Sequence, residues 1–204
     1  RNRKAVRGMN WKKGGTGFMI IAYKGFDKDL SCTACGNRFQ YELGTWNEET
    51  EANCARNGFH CAENPLDCLS YYPDWDSALY YLVLADGDID EDANDSRISC
   101  TRLRLVKQLE LPEFIAHSLR YICEYPFRKD TNFRVETERG EAYRGFTVVR
   151  GKRPLAKGRI GDVLGFLKEE PDSQRIAEAG IYVVDGEEIM PDIWYGIKGR
   201  QEAA

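Results

Sequence analysis

The sequence predicts an α+β fold, with a mixed-sheet N-terminal domain carrying short helices and a small all-β module after it. Three observations point there. Short runs rich in β-formers recur at 18–26, 77–85 and 98–111. One stretch, 111–122, carries apolar residues at helical spacing, and everything after residue 141 reads as β-type runs. With 204 residues, 42% of them apolar, the chain can fill a core without a metal or disulfide staple.

Taken in order, residues 1–18 form a basic arm with six Lys/Arg and no acid, expected to be flexible. The remainder then holds 23 basic against 33 acidic residues, a net charge of −10. Nucleic-acid contact is expected only through the arm, since phosphate binding needs exposed cations. The α+β domain is placed at 19–123. Its first strand is "FMIIAYKGF" (18–26), ending at Gly25, and its second is "RFQYELG" (38–44), with the polar "DKDLSCTACGN" between them read as a turn. Residues 58–62 read as extended. Asn64 then supplies an N-cap and Pro65 a tolerated first helical position, so a helix of about two turns runs on until Pro73 stops it.

"SALYYLVLA" (77–85) is a core strand, "DGDIDEDANDS" (86–96) a loop, 98–111 a long strand and 111–122 an amphipathic helix that closes the domain. Residues 124–141 lack either period and read as a linker. The β module at 142–198 contains "AYRGFTVV", "DVLGFLKEE" and "GIYVVDGEEIMPDIWYGI", with Asp185-Gly186 as a tight hairpin turn, before a tail at 199–204.

No run approaches a membrane span and no signal-peptide core is visible, so a soluble cytoplasmic protein is expected. Seven cysteines at irregular spacing suit reduced thiols better than a disulfide framework. Cys32 and Cys35 form a CxxC that Cys54 and Cys61 could complete as a zinc site, but the second pair is too widely spaced for a zinc ribbon; the leading expectation is no metal.

The loop at 86–96 carries Asp86, Asp88, Asp90, Glu91, Asp92 and Asp95. Its glycine is misplaced for an EF-hand and no glutamate closes the loop, so these carboxylates read as a solvated turn and a partner-binding surface. Of the two histidines, His117 reads as a packing residue and His60 as the candidate for chemistry. No nucleophile–base arrangement is evident.

The order "AYKGF", "FQYELG", "GFHCAENPLDCLSYY", then "CTRLRLVKQLEL", resembles a family of unknown function found in phage and prophage genomes, over about residues 19–111. The tail segments "GRIGDVLGFL" and "VDGEEIMPDIWY" are similar to a C-terminal module of longer relatives, where a glycine-rich repeat separates the two parts. The family usually places cysteine directly before the glutamate, whereas this chain has Ala62 there and Cys61 one earlier.

Residues 58–71 are also similar to the pattern of ADP-ribosyltransferases, a short strand followed by a helix ending in an aromatic. That resemblance implies NAD as cofactor, with His60 and Tyr71 sandwiching nicotinamide and Lys24 standing where the fold's ribose-binding residue lies. Lysine lacks the fork of arginine, and the catalytic glutamate has no counterpart, Glu110 lying at a strand end.

The leading functional expectation is therefore a non-enzymatic phage accessory protein. It would inhibit a bacterial host protein, such as a CRISPR effector or another defence nuclease, through its acidic surface. The alternatives are an NAD-dependent ADP-ribosyltransferase and a virion or adhesin component.

Overall fold

The computed structural model describes residues 19–34, 36–54, 56–92, 95–128 and 133–202; the basic arm and Cys35 lie outside them. The first half contributes β1 (Ile20–Asp27), β2 (Ser31–Ala34), β3 (Asn37–Gln40), β4 (Asn47–Glu48), β5 (Phe59–Ala62), β6 (Ala78–Glu91) and β7 (Arg97–Gln108). One α-helix, α1 (Leu111–Glu124), joins it to β8 (Val135–Glu141), β9 (Phe146–Lys157), β10 (Val163–Glu169), β11 (Ile176–Val183) and β12 (Tyr195–Gly196). The protein is mostly β.

The first sheet closes on itself. β1 runs antiparallel to β6 from Ile20↔Ala85 to Asp27↔Ala78, β6 pairs β7, β7 pairs β5, and β5 returns to β1 through Tyr23↔Ala62. Closure removes the edges that an open sheet would expose. Alternation along β1 sends Ala22, Lys24 and Phe26 to one face, and Ala22 and Phe26 lie fully buried in a cluster with Val83, Cys100 and Leu103.

The expected mixed sheet is not here: every strand pairing described in this sheet is antiparallel. The second sheet is the mixed one, with β9 parallel to both β8 and β10, and with β10–β11 and β9–β12 antiparallel.

α1 packs between the two sheets. A capping box starts it, with Glu110 N–H donating to the Glu113 carboxylate at 3.3 Å. A Cβ on Gly165 would lie 3.1 Å from Ile115 and 3.3 Å from Leu119, so that glycine lets the helix approach β10 closely. One buried cluster includes Leu66 and Tyr80 from the first half, Phe114 and Ile115 from α1, and Val148 and Val163 beyond it.

Several expectations change. The loop expected at 86–96 is strand as far as Glu91, because Asp86 finds Arg102 across the hairpin at 2.8 Å and the Asp88 N–H finds the Thr101 hydroxyl at 2.9 Å. The turn expected between the first two strands contains a strand of its own, β2, which forms a hairpin with β3, and the strand expected at 38–44 ends at Gln40. The helix expected after Asn64 is a 3-10 helix, Pro65–Ser70; the Asn64 side-chain Oδ1 caps it by accepting the Leu66 N–H at 3.2 Å.

The expected linker contains β8, which alternates too few apolar residues to announce itself. Asp185-Gly186 is not a tight hairpin turn. Asp185 Oδ1 accepts the N–H groups of Glu187, Glu188 and Ile189, and this folds 184–194 into a longer connection to β12.

Candidate functional site

The mouth of the closed sheet holds a cavity of about 340 Å³, and Lys24, His60 and Tyr71 all line it. Strand order explains the convergence. Lys24 is carried in by β1 and His60 by β5, while Tyr71 follows directly on the 3-10 helix. The sharp return after that helix brings Tyr72 down onto β1, where a Cβ on Gly25 would sit 2.6 Å from its ring. The glycine of "AYKGF" is thus required by packing across the cavity floor.

Lys24 is only 6% exposed. Its Nζ donates to the His60 carbonyl oxygen at 2.7 Å and lies 5.4 Å from the Phe26 ring centre and 5.3 Å from that of Tyr41. Among the described residues no carboxylate comes within ion-pair distance of it. A buried ammonium lacking a counter-charge carries a desolvation cost that one carbonyl and two ring faces offset only in part. Such an amine is a ready partner for an anion.

His60 is neutral at physiological pH. Burial first, then the charges of Lys24 and Arg97, push its imidazole down to about 4. Arg97 stands at the rim, with its guanidinium 5.3 Å from the centre of the Tyr71 ring, ion-paired to Asp92 and 4.0 Å from Asp95. Tyr71 itself is 56% exposed. The one carboxylate in the described lining, Asp67, is buried and already accepts the Ser96 N–H at 3.1 Å and the Ser96 hydroxyl.

Thiols complete the floor. Cys61 is held well above the ordinary thiol range by its hydrogen bond with Cys100 and then by burial, and burial pushes Cys68 up to about 12. Neither is a ready nucleophile. Of the possible zinc ligands, Cys32 donates to the Tyr41 hydroxyl at 3.3 Å, Cys54 donates to the Asp90 carbonyl oxygen at 3.2 Å, and Cys35 lies outside the described residues. No metal-competent cluster occurs among the described residues.

Residues 20–117 match the family model of a domain of unknown function, DUF7666. The match agrees with the resemblance to an uncharacterised family. No curated protein and no solved structure matches the chain. Among the described residues no helix is long and apolar enough to cross a membrane.

The acidic residues of 86–96 do not line the cavity themselves, though Asp92 and Asp95 hold Arg97 at its rim, and most are turned to internal work. Asp86 pairs Arg102, Asp92 pairs Arg97, Asp95 accepts the Arg97 N–H at 2.9 Å, and Asp90 accepts the Cys54 N–H at 2.7 Å. Asp88 and Glu91 are exposed. His117, carried by α1, packs against Tyr23 of β1, with 3.1 Å between the Tyr23 hydroxyl and its Nδ1. Sequence reasoning missed Arg97, which in the chain reads as a counter-ion to the acidic run. Its second role, over Tyr71, depends on the pairing of β5 with β7, and no local pattern encodes that.

Proposed function

We propose that the closed sheet is a small-molecule-binding domain whose mouth cavity takes an anionic ligand. The supporting observation is Lys24, a buried cation facing a cavity at the low end of the ~300–1,000 Å³ typical of ligand sites. Arg97 adds guanidinium N–H donors at the rim, its charge shared with Asp92 and Asp95, while neutral His60 and Tyr71 offer ring faces. Binding rather than turnover is favoured, because the lining carboxylate is engaged with Ser96 and the Cys61 and Cys68 thiols are held protonated.

A thermal-shift screen of phosphorylated and carboxylated metabolites tests the reading on the wild type and Lys24→Met. Several anions should raise the melting temperature of the wild type and leave the variant unmoved. If no anion at millimolar concentration shifts the wild type, the reading fails.

A second reading keeps the transferase alternative, favoured by the convergence of Lys24, His60 and Tyr71 on one cavity. ADP-ribose appearing on host proteins after incubation with NAD would establish it. The reading as a phage inhibitor of a host nuclease rests on the excess acid of residues 19–204. Most of the loop carboxylates that motivated it have internal partners, so a pull-down from host lysate should survive neutralising Asp88 and Glu91 only if another surface makes the contact.

A further inference from the structure

We infer that the ligand is a planar, uncharged ring bearing a phosphate monoester, of mononucleotide size, and that the cavity rejects the pyridinium ring of oxidised nicotinamide. This rests on the anion-binding reading above and narrows it in three respects: the anionic group, the ring and the size.

The anionic group follows from counting donors. Lys24 has three N–H donors and one described acceptor, the His60 carbonyl. Arg97 Nε is buried and makes no hydrogen bond among the described residues, with Asp95 Oδ1 4.0 Å away, while the head of the same side chain pairs with Asp92, so Lys24 is the cation left to hold the anionic group. Lys24, whose Nζ lies 2.7 Å from the His60 carbonyl oxygen, and Arg97 line the same cavity. A phosphate monoester brings about two negative charges and three acceptor oxygens. A carboxylate brings one charge and two oxygens, and leaves more of these donors unmet.

The ring follows from the mouth. Tyr71 presents an exposed face and His60 a neutral imidazole, which suits stacking. A cationic ring would have to sit beside the Lys24 ammonium, which has no carboxylate within ion-pair distance among the described residues, and the Tyr71 ring already has the Arg97 guanidinium 5.3 Å from its centre. A nicotinamide ring in its oxidised form is therefore the wrong charge for this cavity, even though the three residues brought together are those that a nicotinamide site would call for. Size follows from the volume: about 340 Å³ encloses a mononucleotide and only part of a dinucleotide.

Isothermal titration of the full chain at low salt decides the matter. The probes are the four ribonucleoside 5′-monophosphates, the parent nucleosides, inorganic phosphate, benzoate, oxidised nicotinamide mononucleotide and NAD. At least one 5′-monophosphate should bind about tenfold or more tighter than its nucleoside and than nicotinamide mononucleotide, roughly the worth of one good charged contact. Lys24→Met should remove that preference. Tyr71→Ala should weaken the monophosphate several-fold and leave inorganic phosphate unchanged.

Nicotinamide mononucleotide binding as tightly as the best monophosphate, or benzoate outcompeting it, would overturn the inference while leaving an anion pocket standing. Silence from every anion would overturn both. The comparison of ring charges uses the wild type alone, so it holds even if a variant fails to fold.

Discussion

Besides the cluster around α1, each sheet has an apolar interior of its own, and among the described residues only one of the two contains a charge. The second sheet encloses Val149, Leu164, Phe166, Val184, Ile189 and Tyr195, a cluster in which the tyrosine hydroxyl accepts the Met190 N–H at 2.8 Å. The first sheet encloses an equally buried set around Phe26, Val83 and Cys100, but β1 also turns Lys24 inward, next to Phe26. Both are strand-built. The second is filled for stability, whereas the first keeps a cavity and a cation at the cost of some stability, as sites for ligands commonly do.

Truncating the filled interior should have the largest effect. Phe166→Ala removes a fully buried ring and should cost about 3–5 kcal/mol in chemical denaturation, with no change in ligand affinity if the protein still folds. Next comes the cavity floor: Gly25→Val puts side-chain atoms into the Tyr72 ring and should cost about 1–3 kcal/mol while reshaping the site. The sign should then reverse. Lys24→Met exchanges a buried ammonium for an apolar chain of similar length, and should leave stability unchanged or raise it by up to about 2 kcal/mol in the same denaturation series, while abolishing anion binding. A loss of stability as large as that of Phe166→Ala would mean that Lys24 is structural and would erase the contrast.

The smallest effect is a slope. His60 is held near 4 when folded, against about 6.5 in an unfolded chain, so between those values the unfolded state takes up a proton that the native state refuses. Stability is complete above about pH 6.5 and should decline as pH falls towards 4. His60→Gln should flatten that part of the melting-temperature profile.

The sequence made the hydrophobic skeleton readable, and it missed what depends on partners. "FMIIAYKGF" reads as β1 because its β-formers run together, and 111–122 reads as α1 because its spacing is helical. The second half of β6 was illegible, since Asp and Gly signal loop and the strand is held by Arg102 and Thr101, which arrive through pairing with β7. "VETERGE" looked like linker because β8 pairs only β9 among the described strands and needs few apolar side chains.

At the site, Lys24, His60 and Tyr71 stood out by chemical type, and the cavity does gather them. What charge that cavity prefers was not legible. It depends on Arg97 at the rim and on the burial of Lys24, both of which are products of closure.

The position of α1 has a consequence for cooperativity. Its residues Ile115 and Leu119 rest on β10, while Phe114 packs edge-on against Trp75 and Tyr80 of the first half. Melting either sheet therefore strips one side of the helix and weakens the other sheet's cover. The two halves share a single thermodynamic fate, and a fragment ending at Glu124 would present the bare flank of its helix to water as a surface for aggregation.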